Sequence, residues 1–287
     1  MNLKYSLYPQ KRGCYQIGPT FLSSGDLLGI GKDTHKEIPA NSLIVYPRIV
    51  NLESLGLPSQ SMFGSIREKN PIYEDPSRTF GKRNFTSTDS LRKVDWKASA
   101  ALGNLQVKLF EASKTLELAI YLDLNFKSYE TMHHYDQTEL AIVTAASVAN
   151  WGVKRKHAIG LITNGEDPFK ADTPLTPLIP RKGNAQLMLL LEILARIRSC
   201  DAEDAPALIN RTSSVLPWGT TLLIITGRLS VVLLDELIRA RRRGFNLALI
   251  NIGNYPGLLE NQQRARKSGF TVYHIQTLID LDQREVV

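Results

Sequence analysis

The stretch that most constrains the fold is residues 116–128, LELAIYLDLNFKS. An unbroken apolar run over 118–122 ends in one carboxylate, Asp123. Strict alternation would mark a strand with one wet face. An unbroken run marks a strand buried on both faces, as a parallel sheet requires. The carboxylate then falls at the strand's C-terminal end, where open α/β sheets form their ligand crevices.

Downstream, helix and strand signals alternate. Leu140, Val143, Ala146 and Ala149 recur at helical spacing, with Asp136 or Thr138 as the expected cap and Gly152 as the stop. Further helices are expected over 184–199 (capped by Asn184), 230–243 and 258–267, and strands over 157–163, 220–226, 246–252 and 270–275. Prolines 168, 174, 177 and 180 predict a loop over 164–183. Short connections of this kind imply a parallel sheet covered on both faces by helices, a Rossmann-type α/β domain over 111–287. Strand order cannot be read from the pattern.

Residues 1–110 read differently, as a small β-rich region. Turn residues such as Gly18-Pro19, Gly25, Pro39 and Pro47 punctuate short strand candidates, the clearest over 42–46. Residues 51–82 are polar, rich in Ser, Gly and Pro, and lack a period, which predicts a long irregular excursion. A short helix is expected over 95–100. A strand over 105–110 would place Leu105, Val107 and Leu109 on one face.

No window of about 18 uncharged apolar residues exists to span a bilayer, and MNLKYSLYPQKRGCY has no apolar signal core. Cys14 and Cys200 are far apart and form no CxxC pair, which favours a reducing compartment. A soluble, cytoplasmic chain is the expectation. The net charge of +7 admits an acidic partner. The cations are scattered apart from Arg239, Arg241, Arg242 and Arg243 late in a helix, where positive charge offsets the helix dipole.

Four constellations carry chemical possibilities. Asp123, Asn125 and Ser128 are candidate oxygen donors for a hard divalent cation such as Mg2+, with Lys127 placed unfavourably beside it. The bland alternative is that Asp123 accepts hydrogen bonds from loop amides. Serine nucleophile chemistry lacks a GxSxG context, and the five histidines are dispersed. Nucleotide binding lacks GxxxxGK[ST] and a GxGxxG after a strand. Last, Asp89, Arg92, Asp95, Trp96 and Lys97 mix charges around an aromatic. They read either as a contact surface anchored by Trp96 or as an internal clamp between the β region and the α/β domain, with Trp96 in its core. Lys108 and Glu111 extend that face.

The run Phe85, Asp89, Arg92, Val94-Asp95-Trp96-Lys97-Ala98-Ser99-Ala100, then Leu105, Val107-Lys108, Phe110-Glu111, resembles the domain-of-unknown-function family 58. Lys11-Arg12-Gly13-Cys14-Tyr15, Gly25-Asp26-Leu27-Leu28-Gly29 and Val45-Tyr46-Pro47 are also similar to it. Phe85 stands where the family usually has Tyr, and Thr88 where it has Gly. The resemblance covers nearly the whole chain. It implies a von Willebrand factor A-like second domain and a non-enzymatic adaptor role beside a MoxR-type AAA+ ATPase and a client protein. It also implies a family usually anchored in the membrane, so that a full-length form would sit at the membrane's inner face. The metal-ion-dependent adhesion motif of A domains reads Asp-x-Ser-x-Ser with a distant Thr and Asp. Here the matching positions are Asp123, Asn125 and Lys127, then Gly183-Asn184, then Gly227, so the resemblance implies a degenerate site with no cofactor or a loosely held Mg2+. A metal-dependent enzyme at the Asp123 strand end, with His133 or His134 as base, is the alternative.

Overall fold

The structure is a computed structural model and describes residues 6–22, 36–38, 41–52, 74–86, 94–112, 116–169, 175–217 and 219–276. In chain order it holds β1 (Gly13–Ile17), β2 (Thr20–Leu22), β3 (Lys36–Ile38), β4 (Asn41–Val45), β5 (Glu74–Asn84), α1 (Trp96–Leu102) and β6 (Gln106–Ala112). There follow β7 (Glu117–Leu122), α2 (His134–Lys154), β8 (Ala158–Thr163), β9 (Leu178–Arg181), α3 (Asn184–Arg196) and α4 (Ala205–Thr212). The chain ends with β10 (Thr221–Thr226), α5 (Val231–Arg242), β11 (Asn246–Ile252), α6 (Leu258–Lys267) and β12 (Thr271–Ile275).

Six strands form one mixed sheet in the order β12-β11-β10-β7-β8-β9. The first five are parallel and β9 is antiparallel at the edge. Alternate residues of β7 serve two cores. Leu118, Ile120 and Leu122 pack with α2 and α3, while Ala119 and Tyr121 pack with α4 and α5. This two-sided burial is why the run could not alternate with polar residues. The Tyr121 hydroxyl donates to Thr212 Oγ1 at 2.8 Å, because Thr212 spends its own proton on Leu208 O at 2.6 Å. Burial pushes the Tyr121 phenol up to about 12.

Several local expectations are corrected. Residues 164–183 hold a strand, β9: the prolines that signal a loop are tolerated on an edge strand, where an N–H can be missing. Helix α4 was not anticipated, although Asp204 accepts from Ala207 N at 3.0 Å and Pro206 sits at its start, a recognisable N-terminal pattern. Neither Asp136 nor Thr138 caps α2, which starts at His134 without a side-chain cap, and Gly183 rather than Asn184 takes the cap position of α3. Residues 74–82 of the expected excursion belong to strand β5; its remainder over 53–73 lies outside the described residues.

The chain forms two compact units, residues 1–63 with 116–287, and residues 64–115. The boundary expected near 110 does not separate the first strands, which stay with the α/β unit. Arg12 forks onto Glu139 of α2 through Nε–Oε2 (2.8 Å) and Nη2–Oε1 (2.6 Å). Its Nη1 donates to Leu194 O (2.6 Å) and Ile197 O (2.9 Å) at the end of α3. Val50 N donates to Ser147 Oγ at 3.0 Å, and Leu52 is buried in the α2–α3 core.

At the start of β7, Leu116 N donates to His157 Nδ1 at 3.2 Å. Burial lowers the pKa of this imidazole, and the charges of Arg155 and Lys182 lower it further. The folded value lies below the ordinary 6.5. The unfolded chain therefore takes the proton first. This contribution is complete above pH 6.5 and is lost as pH falls through the folded value. Urea unfolding of wild type should weaken with acidification across this window, and His157→Gln should flatten the slope.

Candidate functional site

Numbered within the sheet, the strand order is third-second-first-fourth-fifth-sixth, which places the topological switch between β7 and β10. Leu122 pairs with Ile225 there, and Asp123 N donates to Ile225 O at 2.9 Å. Asp123 thus stands at the switch point. The residue is 2% exposed.

Both carboxylate oxygens are taken. Oδ1 accepts from Asn125 N at 3.1 Å and from Asn164 Nδ2 at 2.8 Å. Oδ2 accepts from Thr226 Oγ1 at 2.8 Å. Asn164 closes the arrangement by accepting Leu124 N at 2.7 Å and donating to Glu203 O at 2.8 Å. Asn125 is buried as well. Its Nδ2 donates to Ala202 O at 2.5 Å, and its Oδ1 accepts from Lys127 N at 2.9 Å. The Tyr129 hydroxyl donates to Asp123 O at 2.5 Å. Burial, then the Asp123 charge, raises that phenol well above its ordinary value, so it stays a neutral donor.

The expected cation donors are therefore partly assembled and otherwise engaged. Asp123 and Asn125 meet, but Asn125 turns its amide toward Ala202. Ser128 is half-buried and closes the loop through Ser128 N to Asn125 O at 3.0 Å. Lys127 reaches away to Asp201 at 2.8 Å as an exposed ion pair. Gly183 and Asn184 do not join the site: Arg181 pairs with Ile159 at the start of β8, so the turn after it lies at the opposite edge of the sheet. This donor set does not fit a hard cation, because N–H and O–H groups rather than open lone pairs face the carboxylate. Thr226 and Asn164 were missed as partners of Asp123; each is the polar residue that closes an apolar strand, a signal that marks a strand end but not which strand lies beside it.

His133 pairs with Glu130 at 3.7 Å, and His134 stands edge-on to Phe126 with centroids 5.6 Å apart. Neither is a partner of Asp123. Gly227 has no room for a side chain, since a Cβ would overlap Ser128 O and the Tyr129 ring. Gly227→Ala should destabilise the unit by about 1–3 kcal/mol in urea unfolding, because backbone must shift to admit the methyl.

The second cluster lies in the smaller unit. Asp95 caps α1 by accepting Ala98 N at 3.1 Å and pairs with Lys82 Nζ at 2.9 Å. The Lys82 hydrogen bond, then the Ala98 N–H, holds the carboxyl below its ordinary range. Ser99 Oγ donates to Asp95 O at 2.8 Å and accepts Gln106 N at 2.8 Å, stitching α1 to β6. Trp96 is 65% exposed, which corrects the expectation of a buried indole: the first position of α1 turns it outward. Lys97 is also exposed, and Asp89 and Arg92 lie outside the described residues. Of the expected face of β6, Val107 is 1% exposed and Leu105 is 42% exposed.

Among the described residues, no helix is long and apolar enough to cross a membrane. A family model described as "Protein of unknown function DUF58" matches residues 81–243, more than half of the chain. The Bacillus subtilis (strain 168) "Uncharacterized protein YeaD" is 26% identical over 205 residues, covering 71% of this chain and 47% of that protein. The chain thus spans about half the length of this curated relative. A solved structure of an aerotolerance-related membrane protein from Bacteroides fragilis NCTC 9343, with multiple mutations to serines, is similar with a TM-score of 0.39 and 13% identity over 60% of this chain and 96% of that one. With its Asp-Trp-Lys-Ala segment and four strands of its sheet, β7 to β10, inside the matched span, the chain belongs to the DUF58 family of proteins of unknown function.

Proposed function

We propose that the chain is a non-enzymatic interaction module built on a von Willebrand factor A-like domain. In this reading its adhesion-type cation site is degenerate, and it works as an adaptor between a MoxR-type AAA+ ATPase and a client protein. The observation that carries the reading is the closed switch point: the one carboxylate there spends both oxygens on Asn125, Asn164 and Thr226 and offers a substrate nothing. The doubly wound strand order supports the A-domain part. The docking part draws on the loops around that edge, where Phe126 is 44%, Met132 89%, Val232 64% and Leu259 74% exposed. Large apolar side chains gathered at one edge mark an association surface.

The test is capture of a purified MoxR-type ATPase from the same genome by the immobilised full chain, with ATP and with ADP. Nucleotide-dependent capture that falls about tenfold or more in Phe126→Asp with Leu259→Asp is the expected result. Failure of wild type to retain the ATPase in either nucleotide state would end the reading.

A further inference from the structure

The amino edge of the same sheet, opposite Asp123, is predominantly positive. Parallel strands put the C-termini of α2, α5 and α6 on this edge, in the turns that lead into β8, β11 and β12. Lys154, Arg155 and Lys156 precede β8, and Arg241, Arg242 and Arg243 precede β11; all are exposed. Arg266 and Lys267 precede β12. Because β9 runs backwards, Arg181 lies against Ile159 and adds its charge to the same edge. Among the described residues, Glu117 is the one carboxylate in the strand starts and turns of this edge. Buried Glu236 lies further up α5 and takes Arg239 at 3.0 Å and Arg243 at 3.7 Å.

Dipole compensation explains why each helix ends in cations, but not their number. A helix C-terminus carries about half a negative charge, against two or three full positive charges here. The lowered pKa of His157, caused in part by Arg155, reports the same field. The carboxyl edge is mixed instead: exposed Glu130, Asp201 and Glu260 stand there beside His133, Lys127 and Arg264.

The kind of partner follows from shape and from what surrounds the cations. They are spread across the sheet from β9 to β12. Single-strand binders offer rings for base stacking. Here Phe245 and Phe270 are buried, and Trp151 packs under the Arg155 guanidinium at 5.0 Å. What the edge does offer is an apolar tip: Val215, 52% exposed, stands with exposed Pro217 on the loop leading into β10, in the middle of the field. Beside it lies a cavity of about 460 Å³ lined by the Arg243 guanidinium, Ser213, Ser214 and Asn210 over Leu216 and Phe245. Cations around an apolar tip, with a guanidinium and hydroxyls beside it, suit the headgroup layer of an anionic bilayer. We propose that the amino edge of the α/β unit is a docking surface for an anionic phospholipid membrane. The proposal does not rest on the adaptor reading, which uses the other edge.

Sedimentation of the full chain with vesicles tests it. Wild type should bind phosphatidylglycerol-containing phosphatidylcholine vesicles, ignore pure phosphatidylcholine, and dissociate in high salt. A variant combining Lys154→Glu, Lys156→Glu and Arg242→Glu should lose about tenfold or more of that binding with an unchanged thermal melt. Lys127→Glu, on the opposite edge, should keep it. Three results overturn the proposal: no binding to phosphatidylglycerol vesicles, equal loss in Lys127→Glu, or binding of a DNA oligonucleotide at the same salt that matches the vesicles and falls in the same triple variant.

Discussion

Replacing Arg12 with methionine is expected to lower the stability of the α/β unit by about 3–5 kcal/mol, measured by urea unfolding. The Arg12 side chain is 10% exposed and that of Glu139 is 21% exposed, so water screens the pair poorly. Methionine keeps the apolar stem but leaves the Glu139 carboxylate facing a partly buried site with no counter-charge. The carbonyls of Leu194 and Ile197, which close α3, lose their donor as well. Lysine should recover only part of the loss, since an ammonium cannot reproduce the two parallel bonds to Glu139. Adding Glu139→Met to Arg12→Met should recover much of it by removing the orphaned charge. A loss under about 1 kcal/mol would instead mark the pair as an ordinary surface contact.

That same arginine shows where the sequence stops being readable. Arg12 and Glu139 are 127 positions apart, and nothing near either residue names the other. The strands β7, β8, β10 and β11 were legible because a strand buried on both faces needs a long apolar run, and α5 and α6 because a glycine, Gly244 or Gly269, stops each. Asp123 at a strand end was legible for the same reason. Its partners were not. Asn164 and Thr226 reach it only because β8 and β10 flank β7, and strand order is fixed by long-range packing rather than by local pattern. Proline punctuation misled at β9, where an edge position tolerates what a central strand would not. Trp96 misled in the opposite sense. A large aromatic between charges suggests the core of a clamp, yet the helix start capped by Asp95 turns it to solvent, and Ser99, a small polar residue, makes the buried connection to β6.

The carboxylate at the switch point supplies the second large effect. Asp123→Ala is expected to cost about 3 kcal/mol or more, because it leaves the Asn125 N–H and one Asn164 amide hydrogen buried without an acceptor and drives the Thr226 hydroxyl onto its longer contact with Arg228 O. Asp123→Asn should cost clearly less. An amide keeps one oxygen for Asn125 and Asn164, and its nitrogen can donate to Thr226 Oγ1, whose own proton then turns to Arg228 O at 3.3 Å. Thr226→Val should be worse than Asp123→Asn, since it strips a donor from a buried charge while Asp123→Asn removes the charge itself. This ordering belongs to a structural carboxylate. A carboxylate held ready for a cation predicts the reverse: little change in urea unfolding on Asp123→Ala, and calorimetric heat with Mg2+ or Mn2+ in wild type that disappears in the variant. The hydrogen bonds around Asp123 predict no such heat at millimolar metal, because a cation would first have to displace three protein donors from its carboxylate.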